Sequence, residues 1–201
     1  MGKGWNTRDC EGGGMPRIIS GKAKGVKLVM PAGLTCRPTP GRTKEALFSI
    51  LGSRVEGARV LDIFAGSGQI ALEALSRGAS RAVMIENNRK ALAAIYENIR
   101  RTKLGEGAVV LPGDYRSRLE RLVRQKNLFD LIYLDPPWPQ AADLLRLRAE
   151  KLAALLEEDG ILIVETDGEE LAANLFSPPL AWLRSCQYGR GVLSFYQFQS
   201  Q

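Results

Sequence analysis

The chain has 201 residues, 45% of them hydrophobic and 25% charged. That is the composition of one ordinary globular domain, with or without a small appendage. No run is long and apolar enough to span a bilayer, and the N-terminus lacks an apolar signal core, so a cytoplasmic protein away from membranes is expected. Histidine is absent, which excludes histidine-based triads, bases and metal ligands.

Charge is uneven. Residues 1–54 carry ten Lys or Arg and three Asp or Glu, a balance of +7, whereas the remaining 147 residues sum to −1. A basic segment on a near-neutral domain suggests a polyanionic partner, with nucleic acid the default and a solvated tail the bland alternative. Cys10, Cys36 and Cys186 are widely spaced and fit no metal pattern. They read as reduced cytosolic thiols, and no metal is expected.

In chain order, residues 1–15 are Gly-rich and polar, as in a disordered or tag-like tail. Residues 16–30 read as two short strands around a turn with Gly21 and Gly25, forming a small β-hairpin. A Pro/Gly/Thr-rich loop over 31–42 leads to a helix from about Thr43 to Gly52, with Thr43 or Thr39 as its cap. Residues 16–54 thus form a basic N-terminal part, and 55–201 the main domain. There, strands are expected at Arg59–Phe64, Arg81–Ile85, Ala108–Leu111, Leu128–Leu134 and Ile161–Glu165. They alternate with helices at Gln69–Arg77, Asn88–Thr102, Ser117–Gln125, Ala141–Leu156 and Glu169–Phe176. Two last strands, Trp182–Tyr188 and Gly191–Phe198, flank a Gly-Arg-Gly turn. Repeated strand–helix units ending in a hairpin imply an α/β fold: a mostly parallel, doubly wound sheet with an antiparallel edge.

The fourth strand carries the most informative chemistry. The apolar run Phe129–Leu134 ends in Asp135, Pro136, Pro137 and Trp138. Neither proline has an N–H, so a carboxylate and outward carbonyls make an acceptor-only site beside a flat aromatic. Such a site suits a planar group bearing an amine. A Pro-Pro turn with a chance acid is the bland alternative.

The first strand leads through Asp62, Phe64, Gly66 and Gly68 into a helix, and glycines there let backbone N–H groups approach a ligand. Glu86, ending the second strand, can accept from both hydroxyls of a ribose. Asp114, after the third, is placed to meet a base amino group. Each carboxylate lies just past a predicted strand end, so all should converge on one edge of the sheet. The glycine signal alone also fits a dinucleotide fingerprint. Asp62 would repel a pyrophosphate, however, and attract an ammonium or sulfonium. S-adenosylmethionine therefore fits better than a nicotinamide cofactor.

Leu61–Gly68, Glu73–Ala79 and Asp130–Trp138, preceded by Arg17–Lys22, Arg37–Thr39 and Arg42–Glu45, together resemble the RsmD family of 16S ribosomal RNA guanine-N2 methyltransferases over nearly the whole chain from Pro16. The resemblance implies a Rossmann-like class I methyltransferase with a seven-stranded sheet. It implies S-adenosylmethionine as donor and 16S rRNA, in an assembling 30S particle, as substrate of a monomer. It assigns cofactor contacts to Asp62, Phe64, Gly66, Gly68, Glu86 and Asp114, and catalysis to Asp135, Pro136, Pro137 and Trp138. Trp138 stands where tyrosine is usual, and Gly41 where aspartate is common. Arg17, Lys22, Lys24, Lys27, Arg37, Arg42 and Lys44 are the candidates for RNA phosphates. An adenine-N6 methyltransferase acting on DNA or RNA, a non-catalytic RNA-binding assembly factor and a nicotinamide-dependent oxidoreductase remain as alternatives.

Overall fold

A computed structural model of the chain describes residues 15–31, 41–136, 148–167, 180–189 and 191–198. Residues 1–14 of the tail expected over 1–15, Arg37, Thr39, Pro137, Trp138, the start of the helix expected from Ala141 and the helix expected at Glu169–Phe176 lie outside the described residues.

Seven strands form one sheet: β1 (Arg59–Ile63), β2 (Arg81–Glu86), β3 (Ala108–Pro112), β4 (Phe129–Leu134), β5 (Leu156–Asp167), β6 (Leu180–Tyr188) and β7 (Gly191–Phe198). Their spatial order is β3-β2-β1-β4-β5-β7-β6. The first five run parallel, and β7 and β6 are antiparallel additions at one edge. The helices are α1 (Gly41–Leu51), α2 (Gln69–Ser76), α3 (Arg89–Thr102) and α4 (Tyr115–Arg124), and residues 148–153 are also helical.

Alternation along the strands divides the core. Val60, Met84, Tyr133 and Ile163 face a layer holding Leu47 and Phe48 of α1, Leu72 of α2, Ile95 of α3 and the N-terminal residues Ile18 and Leu28. Leu61, Ile63, Val83, Ile132 and Leu162 face Leu119 and Leu122 of α4 together with Leu152 and Leu155. Central strands covered on both sides are apolar at successive positions, and this makes β2 and β4 easy to read.

Several boundaries depart from the sequence-based expectation. Strand β5 begins at Leu156, where a helix was expected, and the helical residues stop at 153. Asp159, with φ of 66°, lies inside the strand, and the pairing with β4 shifts register between Phe129 and Leu131. An Asp-Gly pair that looks like a helix stop serves here as an irregularity within a strand. Thr43 does not cap α1; it is its third residue, and its side chain is buried.

The N-terminal hairpin is reduced to one antiparallel bridge, between Arg17 and Lys27. The segment is held instead by side chains of the main domain. Glu73 accepts from the amides of Ile19 (2.8 Å) and Ser20 (3.0 Å), and Ser76 Oγ from that of Ala23 (2.9 Å). Asn98 Oδ1 accepts from Val29 N at 2.7 Å, and its amide nitrogen donates to Val29 O and Ser67 O, each at 2.9 Å. Gly21 passes so close to α2 that a Cβ there would stand 1.7 Å from Ser76 O, and its φ of 81° is left-handed. Only glycine fits that crossing. With Ile18 and Leu28 fully buried, this basic segment shares the core of the main domain.

Candidate methyl-transfer site

The register aligns the strand tips. Ile63 stands opposite both Ile85 and Leu134, and Glu86 opposite Pro112. The segments after β1, β2, β3 and β4 therefore leave the sheet at one edge, the carboxyl edge where open α/β sheets bind ligands. Glu86, Asp114 and Asp135 lie at that edge, as expected, and Asp62 stands one residue inside the end of β1.

The loop after β1 is shaped by backbone geometry. Phe64 has φ of 70°, an uncommon conformation for a residue with a Cβ, and its ring meets Tyr115 at 4.9 Å between centroids, tilted by 52°. Gly66, with φ of 57°, has open space where its Cβ would be, except for Phe64 O at 4.0 Å. A ligand can approach that backbone closely. Gly68 precedes α2, and its amide donates to Ala65 O at 2.7 Å.

Glu86 braces the loop. Its Oε2 accepts from Gly66 N at 2.8 Å, and its Oε1 from Asn87 N and Asn88 N, each at 2.8 Å. A carboxylate has about four acceptor sites, so capacity for a ribose hydroxyl remains beside these bonds. Asp114 caps α4, accepting from Arg116 N at 2.9 Å, and is exposed to solvent at the same edge.

Asp62 departs from its expected place. It lies within β1, one residue before its end, and is 2% exposed. Its Oδ2 accepts from Ala71 N at 3.3 Å, which ties β1 to the first turn of α2. Burial pushes its carboxyl up to about 7; the bond from Ala71 opposes that shift, and the charges of Glu86 and Glu165 add to it. Asp62 therefore ionises far closer to neutrality than an ordinary carboxyl. A nearby cation would draw off its proton, so the electrostatic argument for a cationic ligand becomes dependent on pH.

Asp135 is half-buried directly after β4, and Pro136 is buried beside it. Sequence reasoning missed the neighbours below. Tyr133, on β4, donates its hydroxyl to Glu165 of β5, and both are buried. Thr43 Oγ1, from α1, is buried and has no hydrogen-bond partner among the described residues. A tyrosine inside an apolar strand and an acid near a strand end gave no signal until the register placed them together.

The expected phosphate contacts divide. Arg17, Lys22, Lys24, Lys27 and Arg42 are exposed. Lys44 is not available to RNA: it is 1% exposed, its Nζ lies 3.1 Å from Glu73 Oε2, and it donates to Arg17 O at 2.7 Å. Burial pushes its ammonium pKa down, with Glu73 acting against that shift. An interior carboxylate needs a counter-charge, and Lys44 supplies it. At the opposite edge of the sheet a cleft of about 340 Å³ lies among Arg54, Glu56, Asp130, Glu158 and Asp159. Its preponderance of carboxylates suits neither phosphate nor the chemistry above.

The model of the family described as conserved hypothetical protein 95 matches residues 16–197. The ribosomal RNA small subunit methyltransferase D of Escherichia coli K12 is 34% identical over 196 residues, covering 94% of this chain and 92% of that protein. Its counterpart of the same name in Haemophilus influenzae is 30% identical, covering 93% and 95%. The solved yhhF structure from Escherichia coli superposes with a TM-score of 0.77 at 31% identity, over 94% of this chain and 100% of that one. On the strength of these matches the chain belongs to the RsmD family.

Proposed function

We propose that the chain transfers a methyl group from S-adenosylmethionine to the exocyclic N2 amine of a guanine in 16S rRNA. The family supports methylation of small-subunit rRNA with that donor. The observation that carries the reading is the shared edge: an amine-accepting group, Asp135 with Pro136, follows β4 beside the open glycine loop that follows β1. The open backbone at Gly66, together with Glu86 and Asp114, fits a ligand with a ribose and an amino-bearing base. Asp62 would favour its ammonium across the loop.

The donor supplies an electrophilic methyl on a sulfonium, so catalysis is largely alignment for in-line attack. Guanine N2 is a weak nucleophile because its lone pair is delocalised into the ring. Asp135 carboxylate and the Pro136 carbonyl accept its two hydrogens in directions that favour a pyramidal nitrogen, and the charge-assisted bond to Asp135 is the stronger. The N–C bond forms as the S–C bond breaks. The amine then loses a proton, for which Asp135 is the nearest base, and S-adenosylhomocysteine remains. Trp138 would stack on the extruded base, a contact of about 1–3 kcal/mol in comparable sites.

Exposed Arg17, Lys22, Lys24, Lys27 and Arg42 would hold the RNA backbone, with Arg37 as a further candidate. A monomer acting in the cytoplasm on an assembling 30S particle fits this reading. Incubating the protein and isotopically labelled donor with small-subunit particles, then analysing the nucleosides, tests it. The expected product is N2-methylguanosine. N6-methyladenosine would hand the site to the adenine-directed alternative, and no transfer would favour an assembly factor.

A further inference from the structure

The site contains a second carboxylate that the transfer chemistry does not use. Glu165 lies near the end of β5, 7% exposed, and its Oε2 accepts the Tyr133 hydroxyl. The pairing that sets Leu134 against Val164 brings Asp135 level with Glu165 one step later. Neighbouring strands are about 5 Å apart, so Glu165 is the adjacent acid on the next strand. Its other oxygen converges with α1. A Cβ on Gly191 would stand 3.8 Å from Glu165 Oε1 and 3.6 Å from Thr43 Oγ1. Thr43 Oγ1 is buried and has no hydrogen-bond partner among the described residues. A carboxylate oxygen and an unsatisfied hydroxyl thus approach one spot where β7 supplies no side chain. A buried polar atom left unpaired is costly and calls for an explanation.

Resting on the guanine-N2 reading above, we propose that Glu165 and Thr43 determine base specificity, with Glu165 accepting the N1–H of the target guanine and Thr43 donating to its O6. Guanine presents N2–H, N1–H and O6 in a row along one edge. Asp135 and Pro136 accept from the first, Glu165 takes the second, and the Thr43 hydroxyl meets the third. Adenine presents a lone pair at N1, which would face the Glu165 carboxylate and be repelled. Tyr133 is a positioning residue: its hydroxyl donates to one oxygen of Glu165 and fixes the orientation of the carboxylate. A site built to hydrogen-bond its substrate rejects an analogue lacking the groups far more strongly than a pocket that only excludes volume.

The test uses small-subunit particles in which the methylated guanine, first located with the unaltered protein, is replaced by 2-aminopurine. This base keeps the amine but has a lone pair at N1 and no O6. The unaltered protein should use it about 100-fold less well than guanine or worse. Glu165→Gln should lose guanine turnover by a similar factor and show little further loss on 2-aminopurine. Thr43→Val should lose part of the discrimination. Equal use of both bases by the unaltered protein overturns the proposal, whatever the variants do. Full discrimination retained by Glu165→Gln or, should that variant fail to fold, by Thr43→Val overturns it as well. Absence of N2-methylguanosine with the unaltered protein would instead sink the guanine-N2 reading itself.

Discussion

Residues 15–31 and the β6–β7 hairpin both extend the parallel sheet domain, and they are attached by opposite means. Strand β7 joins β5 from Ile161–Gln197 to Asp167–Gly191, and β6 adds to it by the same kind of backbone ladder. The N-terminal segment has one bridge of its own and hangs on Glu73, Ser76 and Asn98. A ladder spreads attachment over many equivalent groups. The N-terminal attachment concentrates it in a few side chains, one of which, Asn98, also holds Ser67 O in the loop after β1. Beyond the buried Ile18 and Leu28, the basic segment is therefore joined to the main domain through a few polar contacts that single substitutions can remove.

The comparison can be broken at its strongest point. Glu73→Ala removes the acceptor of two backbone amides and strands Lys44 as a buried, unpaired cation. It should cost about 3–5 kcal/mol of stability, read by urea unfolding, whereas Gln187→Ala on exposed β6 should stay within about 0.5 kcal/mol. Similar losses at the two positions would erase the distinction. Asn98→Ala should cost about 1–3 kcal/mol and also weaken donor binding in calorimetry; an unchanged donor affinity would mean that segment and loop are independent.

The same loop carries a pH dependence. With its carboxyl pushed up to about 7 from the ordinary value of 3.8, Asp62 keeps a proton in the fold that the unfolded chain gives up. Its contribution is fully favourable below about 4 and is lost as pH rises through about 7. Asp62→Asn should flatten the melting temperature across that window. In the unaltered protein, donor affinity should rise with pH through about 7, as Asp62 ionises, and this rise should vanish in the variant. The smallest effect on stability is expected from replacing Lys22, Lys24 and Lys27 together by Gln, about 0.5 kcal/mol or less at each exposed site. RNA affinity should nevertheless fall, with the salt dependence shallower by about one unit of slope per phosphate contact removed. Unchanged RNA affinity would mean that this segment is not an RNA contact.

The same contrast explains what could be read in advance. The parallel strands announce themselves because burial on two faces demands unbroken apolar runs, as in Phe129–Leu134. The caps were less legible: Thr43, expected to cap α1, lies inside it, whereas the caps that form are Asn88, accepting from Lys90 N and Ala91 N, and Asp114, accepting from Arg116 N. The acidic strand tips of the site were legible, since topology brings every tip of a parallel sheet to one edge. The fate of Lys44 was not legible. In the sequence it is one more cation in a basic segment, and only the approach of Glu73 from α2 makes it an interior residue. Glu165 and Tyr133 were hidden similarly, because their meeting depends on the β4–β5 register, which an early start of β5 and a shift near Asp159 help to set.

The central claim is that Asp135 acts on the accepting amine while the loop after β1 holds the donor. The most direct measurement pairs donor calorimetry with methyl transfer to small-subunit particles for Asp135→Ala. The account predicts donor affinity within about threefold of the unaltered protein, a difference below about 1 kcal/mol, and transfer reduced to background. Loss of donor binding together with transfer, or transfer that persists, would contradict it.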